Sequence, residues 1–362
     1  MTIDFGWFLP TMGDTDVIGP PTRAATTDYL VEVATAAEDA GFVFALMPVG
    51  TTCHDAWLAS AVVAARTRTL KFLVAMRPGF VAPTLAAKMS NTLDQLTQGR
   101  VLINVVTGGF PAELAADGDF MEHDERYART QEFMQVVRRA WTEPKRWSHE
   151  GRYYRTENAD VHPKPFQQPY PRFYFGGASE AAQKVGAEEA DVYLLWGETV
   201  PMVRQRIGEM RERAARLGRT LRFGMRMQVV VRESDDAARA AADALVAGIP
   251  ENFQHMVDRH MSGSDSEGER RQREMTRQDE WLGPNLWTGI GRARLGVGTA
   301  LVGSGESVAA RLREYVDEGI DTFILSGYPH LEEAQRFGRY VMPLFDAERS
   351  RPAAPRREMA PA

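Results

Sequence analysis

A chain of 362 residues, 44% hydrophobic and 25% charged, has the make-up of a soluble globular protein and the length of a single α/β barrel with insertions in its loops. Its formal net charge of −6 argues mildly against a nucleic-acid or anionic-membrane partner, so an anionic ligand must be met by cations gathered locally. The single cysteine, Cys53, excludes an intrachain disulfide framework and a cysteine zinc cluster and fits a reducing cytoplasm, while no apolar run approaches the roughly 20 residues of a membrane span.

The opening MTIDFGWFLP carries no charged leader and no cleavage site, and IDFGWFLP (3–10) reads as a first strand. From there one junction recurs: a helix of period 3.6 ends in glycine or a short polar turn, and an apolar strand follows directly. It is seen in AEDAGFVFALMPV (37–49), LDQLTQGRVLINVV (93–106), AEEADVYLLWG (187–197), AARLGRTLRFGMRM (214–227) and YVDEGIDTFILSG (315–327). With LKFLVAM (70–76) and RFYFGG (172–177) this gives eight strands, and helical patterns near 28–40, 55–66, 84–97, 124–141, 179–189, 200–216, 235–247 and 331–346 separate or follow them. Eight strand-then-helix units predict a (β/α)8 TIM barrel, one domain over residues 1–348 with insertions near 143–170 and 249–297. The first insertion, with EGRYYR and the proline-rich KPFQQPYP, reads as a small hairpin and an extended run into strand five. The second centres on SGSDSEGERRQREMTRQDE (262–280), almost wholly polar: either a solvated mobile loop, or a mobile lid over about 260–282 that orders on a ligand. The tail, 349–362, has the composition of disorder.

One strand stands out. In LRFGMRMQVVVRE (221–233), Leu221, Phe223, Met225, Met227, Val229 and Val231 share one face, and Arg222, Arg226, Gln228 and Arg232 the other. The apolar face suits packing on helices, which aims Arg226 and Gln228 into the barrel mouth. A guanidinium there needs an anion, from the protein's own carboxylates or from a ligand; Gln228 also suits a satisfied buried amide. Arg294, in the glycine-rich RARLGVGTALVGS (292–304) read as leading into a helix, and Arg77, directly after strand three, join it as a candidate oxyanion pocket. Other candidates sit after strands, where barrels build sites: Cys53 and His54; Asn104 and Thr107; the phosphate-cradle or helix-cap pattern FGGASE; Trp196; Tyr328 and His330. Cys53 alone also suits a small buried hydrophobe, and Trp196 either core or the wall of a planar ligand site. The seven histidines offer no metal-ligand spacing, and no Rossmann, Walker or G-x-S-x-G pattern occurs, so no metal is expected.

Taken in order, WFLPTMGD (7–14), CHDAW (53–57), KFLVAMRPG (71–79), PTLAAKMSNTLDQLTQGR (83–100), NVVTGG (104–109), HDERY (123–127), QQPYPRFYFGGASEAAQ (167–183), VYLLWGE (192–198), RFGMRMQVVVRE (222–233), PNLW (284–287), GTALVG (298–303) and LSGYPHLEEA (325–334) resemble the bacterial-luciferase-like flavin monooxygenases, and among them the alkanesulfonate monooxygenases. The resemblance implies a (β/α)8 barrel that takes reduced FMN (FMNH2) from a separate NAD(P)H-dependent flavin reductase and uses O2 as co-substrate. It implies cleavage of an organosulfonate C–S bond to aldehyde plus sulfite, a homodimer or homotetramer, a mobile lid and a cytoplasmic location. Carried over by position, Arg226 and Arg294 hold the sulfonate, Tyr328 donates a proton or hydrogen bond, and Cys53 lies near the flavin. Ala75, Met76, Asn104, Thr107, Tyr127, Gly177, Ala178 and Ser179 hold the flavin, and Met12, Trp196, Gln228 and His330 complete the substrate side. The chain departs from the family pattern at Met12 and Gln228, where histidines are usual, which removes two ionisable groups but keeps hydrogen-bonding capacity at Gln228. Other readings are a luciferase-like monooxygenase acting on a sulfone or other non-sulfonate, a deazaflavin-dependent oxidoreductase, and a non-catalytic flavin-binding scaffold.

Overall fold

A computed structural model of the chain describes residues 2–292, 294 and 296–349. In chain order its strands are β1 (Asp4–Phe8), β2 (Phe44–Met47), β3 (Lys71–Met76), β4 (Val101–Val105), β5 (Trp147–Glu150), β6 (Arg155–Ala159), β7 (Phe173–Gly176), β8 (Val192–Trp196), β9 (Arg222–Arg232), β10 (Leu286–Trp287), β11 (Ala300–Ser304) and β12 (Thr322–Ser326). Parallel pairing runs from β1 through β2, β3, β4, β7, β8, β9 and β12 and returns to β1, so these strands close the expected (β/α)8 barrel.

The helices are α1 (Thr27–Asp39), α2 (Ala56–Ala64), α3 (Pro83–Thr97), α4 (Pro111–Ala116), α5 (His123–Thr142), α6 (Glu180–Glu189), α7 (Val200–Arg216), α8 (Asp235–Val246), α9 (Glu251–Ser262), α10 (Glu267–Gln278), α11 (Gly305–Glu318), α12 (His330–Tyr340) and α13 (Met342–Arg349). Local chemistry fixes their ends. Thr26, Asp55, Ser179, Ser234 and Ser304 each cap a helix by accepting a backbone N–H of its first turn. At the other end Gly319 takes φ +109° and stops α11 directly before β12. The final helical pattern is divided at Val341 into α12 and α13, and the rest of the tail, from residue 350, lies outside the described residues.

Two layers of apolar contact follow from strand alternation. Phe8, Phe44, Leu46, Leu73, Leu102, Tyr174, Val192 and Ile324 fill the barrel interior. Trp7, Ala45, Phe72, Ile103, Phe173, Tyr193, Met225, Val229 and Phe323 face outward onto helix residues such as Val33, Val63, Ala86, Val137 and Leu312. Gly6 makes room for the Phe44 ring, which lies 2.1 Å from where a Cβ would stand. At the floor, Arg222 bridges Asp4 (3.1 Å) and Asp321 (2.8 Å). Above the rim, Glu333 on α12 holds Arg232 of β9 (2.6 Å) and Arg336 (2.5 Å) with a carboxylate that is fully buried.

The second insertion has more structure than its sequence suggests, and the first has the structure expected. β5 and β6 form the expected antiparallel hairpin. The polar segment 262–280, read as a loop, is helical: α9 ends at Ser262 and α10 covers most of the rest. The stretch 292–304 leads into a helix, α11, as expected, but its second part is a strand the sequence did not announce, because β9 overruns the barrel and offers Gln228–Arg232 as a free edge on which β11 pairs in parallel. β10 then pairs antiparallel with β11. Among the described residues no helix is long and apolar enough to cross a membrane.

Candidate active site

The C-terminal ends of the barrel strands open into a cavity of about 1190 Å³. Of the residues expected at a site, Met12, Cys53, Asn104, Thr107, Tyr127, Gly177, Ala178, Trp196, Arg226, Arg294 and Tyr328 line it. Ala75, Met76, Ser179, Gln228 and His330 are not among its lining residues. Ala75 and Met76 are buried in β3, in register with Asn104 and Val105 of β4. Ser179 spends its hydroxyl on the Ala182 N–H (3.2 Å). His330 is drawn away by Asp14, which its Nδ1 meets at 2.8 Å, while its carbonyl accepts the Trp7 indole N–H (3.1 Å).

Arg226 points into the mouth of the barrel, as the alternation of β9 requires. Its guanidinium donates to the Met227 carbonyl (2.7 Å), the Ser326 hydroxyl (2.7 Å) and, at longer range, the Ile324 carbonyl (3.4 Å), and it lies 5.0 Å from the centre of the Phe8 ring. No carboxylate among the described residues is paired with it. Burial, and then the nearby Arg294 cation, hold its pKa well below the ordinary arginine value. Gln228, fully buried, is satisfied with its amide nitrogen on Ser326 and its oxygen facing Arg294 at 2.9 Å (Nε) and 3.1 Å (Nη2). Arg294 Nε also reaches the Tyr328 hydroxyl (3.0 Å). Arg226, Ser326, Gln228, Arg294 and Tyr328 therefore form one network. Arg77, grouped with these two arginines from the sequence, also lines the cavity but is ion-paired with Glu113 of α4 (3.2 Å). Burial raises the Cys53 thiol pKa, which makes it a neutral thiol and not a poised nucleophile.

Across the cavity, β7 ends in a cradle. The Gly177 carbonyl accepts the Tyr193 hydroxyl, and the Ala178 carbonyl accepts Gln183 Nε2 (2.9 Å) and Arg206 Nη1 (3.3 Å). The turn delivers the chain to the N-terminus of α6, where amide N–H groups favour an anion, and Arg206 lines the same wall. A Cβ on Gly177 would lie 2.4 Å from the Ala182 Cβ, so the backbone holds its path only without one. These features fit a phosphate, and the cavity beyond them, walled by Tyr127 and Trp196, fits a planar ring. Gly177→Ala is expected to displace the start of α6 and weaken binding of the FMN that the sequence resemblance implies tenfold or more, about 1.4 kcal/mol, as read by fluorescence titration.

The polar helix α10 is pinned over the mouth along its N-terminal half and the turn before it. Arg271 grips Glu198 with two bonds (2.7 and 2.6 Å), and Asp265 pairs with the buried Arg126 (2.5 Å) while Ser264 donates to the Gly109 carbonyl (2.7 Å). Next to Arg271, Gln272 donates to the Gly197 carbonyl (3.0 Å) and accepts from the Gly298 N–H (2.9 Å), and Gly268 lies against the Trp196 indole. Sequence reasoning missed Phe8, Ser326, Arg206, Glu198 and the inward side chains of α10. The only signal for the last was their spacing, with Glu269, Gln272 and Met275 on one buried face.

A sequence model described as luciferase-like monooxygenase matches residues 3–322 of this barrel. The chain belongs to the luciferase-like monooxygenase family. Among solved structures, this luciferase-like monooxygenase is similar to DmoA from Hyphomicrobium sulfonivorans, at 22% identity over 98% of this chain and 90% of that one, with a TM-score of 0.80. It is similar also to a riboflavin lyase solved with modified FMN and riboflavin (20% identity, 98% and 94% covered, TM-score 0.79). A third is the EDTA monooxygenase from Chelativorans sp. BNC1 (17% identity, 96% and 94% covered, TM-score 0.78). At these identities the likeness is one of fold, and activity has to be argued from the luciferase-like site itself.

Proposed function

We propose that the protein is the oxygenase half of a two-component system that uses reduced FMN and O2 to cleave the C–S bond of an organosulfonate, releasing an aldehyde and sulfite. A separate NAD(P)H-dependent reductase supplies the flavin, and the working form is a cytoplasmic homodimer or homotetramer. The observation that carries the reading is Arg226, a guanidinium enclosed at the barrel mouth beside a second arginine and without a described carboxylate partner. Two close cations in a dry pocket repel each other and are poorly solvated, and a bound anion relieves both costs. A sulfonate presents its oxygens to planar guanidinium forks two at a time.

The cavity divides to match. Gly177, Ala178 and Arg206 would hold the flavin phosphate, Asn104, Thr107 and Tyr127 the ribityl and ring, and Met12 and Trp196 the substrate side. Bound reduced flavin supplies the two electrons that activate O2. Arg226 and Arg294 orient the oxyanion, Tyr328 offers a hydroxyl proton next to Arg294, and α10 excludes water, which strengthens each charge interaction beneath it.

A second reading, a sulfone or other non-sulfonate substrate, is favoured by Gln228. Its oxygen occupies Nε and Nη2 of Arg294, leaving less of that fork for a full anion. Reconstitution with a flavin reductase, NADH and matched panels of sulfonates and sulfones separates the two. Sulfite released from at least one sulfonate is the expected result. Sulfinate from sulfones alone would support the second reading, and neither product, with reduced FMN shown to bind, would overturn both.

A further inference from the structure

Among the described residues, the carboxylates lining the cavity are Asp14, Glu113, Glu198, Asp265 and Glu269. Four are engaged: Asp14 by His330 and Tyr29, Glu113 by Arg77, Glu198 by Arg271 and Asp265 by Arg126. Glu269 is different. It hangs from the first turn of α10 with 1% of its surface exposed. Its Oε1 accepts the Gly296 N–H (2.9 Å), and its Oε2 is enclosed with no hydrogen-bond partner.

The charged groups that bear on it are few. Arg294 faces it from the segment that also carries Gly296, and Arg273 lies one turn along its own helix. Arg271 is turned to Glu198, and Arg292, at the end of a 3₁₀ turn (Gly289–Arg292) packed against α10, to Glu280 (3.1 Å). An ionised carboxylate in this position leaves one charged oxygen without solvent or donor. A carboxylic acid there instead carries a hydroxyl, and Glu269 lines the same cavity as Arg226 and Arg294.

We propose that Glu269 is a ligand-binding residue, its Oε2 donating as a hydroxyl to an oxyanion held by Arg226 and Arg294, so that binding of the anion takes up a proton. This rests on the reading of those arginines as an oxyanion site. Charge logic supports it, since an ionised Glu269 would cancel part of the positive field that draws the anion, whereas a neutral one leaves that field intact and adds a donor. Burial raises its pKa to about 7, with Arg294 and Arg273 pulling the other way, so the proton is exchanged near neutrality. The sign follows: below about pH 7 the acid form is already in place and affinity is flat, and above it each anion must bring a proton.

The test is calorimetric titration of pentanesulfonate into the protein under anaerobic conditions with saturating reduced FMN, from about pH 6 to pH 9, in buffers of differing ionisation enthalpy. The wild type is expected to lose affinity about tenfold per pH unit above neutrality and to take up a proton on binding. Glu269→Gln keeps an amide donor and is expected to bind with affinity that does not vary with pH and without proton uptake. Its melting temperature, matched to the wild type, establishes that it folds. Binding that depends on Arg226 but has the same pH profile in wild type and Glu269→Gln would overturn this inference and leave the oxyanion site standing. So would a Glu269→Gln variant weakened equally at every pH. Absence of binding, or binding indifferent to Arg226→Ala, would overturn the oxyanion reading and this inference with it.

Discussion

Replacement of Arg226 by alanine is expected to lower kcat/KM for the proposed sulfonate substrate by about 10²–10³-fold, about 3–4 kcal/mol, because one fixed donor aimed at developing negative charge is worth that much in a water-excluded site. Lysine should recover only part, since it keeps the charge without the planar fork. Stability should move differently. The Arg226 guanidinium is enclosed, is repelled by Arg294 and meets only carbonyls, a hydroxyl and the Phe8 ring. Arg226→Met should therefore melt at or above the wild-type temperature while losing activity, the pattern of a residue retained for function against its own folding cost. Steady-state kinetics and a thermal melt on the same variants check both halves. Undiminished turnover in Arg226→Ala would remove the anion site from the account.

Glu333→Ala is expected to have the largest effect on stability, a loss of about 3–5 kcal/mol. The carboxylate is fully buried and bridges Arg232 at 2.6 Å and Arg336 at 2.5 Å, and it also accepts the Val231 backbone N–H (3.3 Å). Deleting it leaves two guanidinium groups facing each other over an unpaired N–H, where β9 leaves the barrel. In a chain of this size the loss corresponds to a fall in melting temperature of about 4–7 °C. Glu333→Gln, which keeps the acceptor and the shape, should cost less. Differential scanning calorimetry of both variants makes the comparison.

The barrel was legible because its strands are short runs apolar on both faces, such as FALM in β2 and FIL in β12, each following a helix stopped by glycine or a polar turn. Arg226 was legible for the opposite reason: a cation inside such a run has to be explained. What it touches was not, since Phe8 and Ser326 come from the two ends of the chain and meet it only when the barrel closes. Helix α10 was hidden by its composition. Its inward face is Glu269, Gln272 and Met275, and a helix that docks on exposed backbone groups of Gly197, Gly296 and Gly298 buries polar side chains without an apolar stripe. β11 was hidden because its pairing edge exists only where β9 overruns the ring.

That overrun gives β9 two separate duties along its length. The half from Arg222 to Gln228 seals the ring between β8 and β12, and the half from Gln228 to Arg232 carries β11, with α8 departing from its tip. Everything between α8 and β11, the covering helices included, is thus a cassette whose exit and entry are clamped side by side on one strand outside the closed ring. Such a cassette can be lengthened, shortened or recomposed without altering a single barrel pairing. One scaffold can thereby present differently shaped roofs to different molecules while the cofactor floor stays as it is.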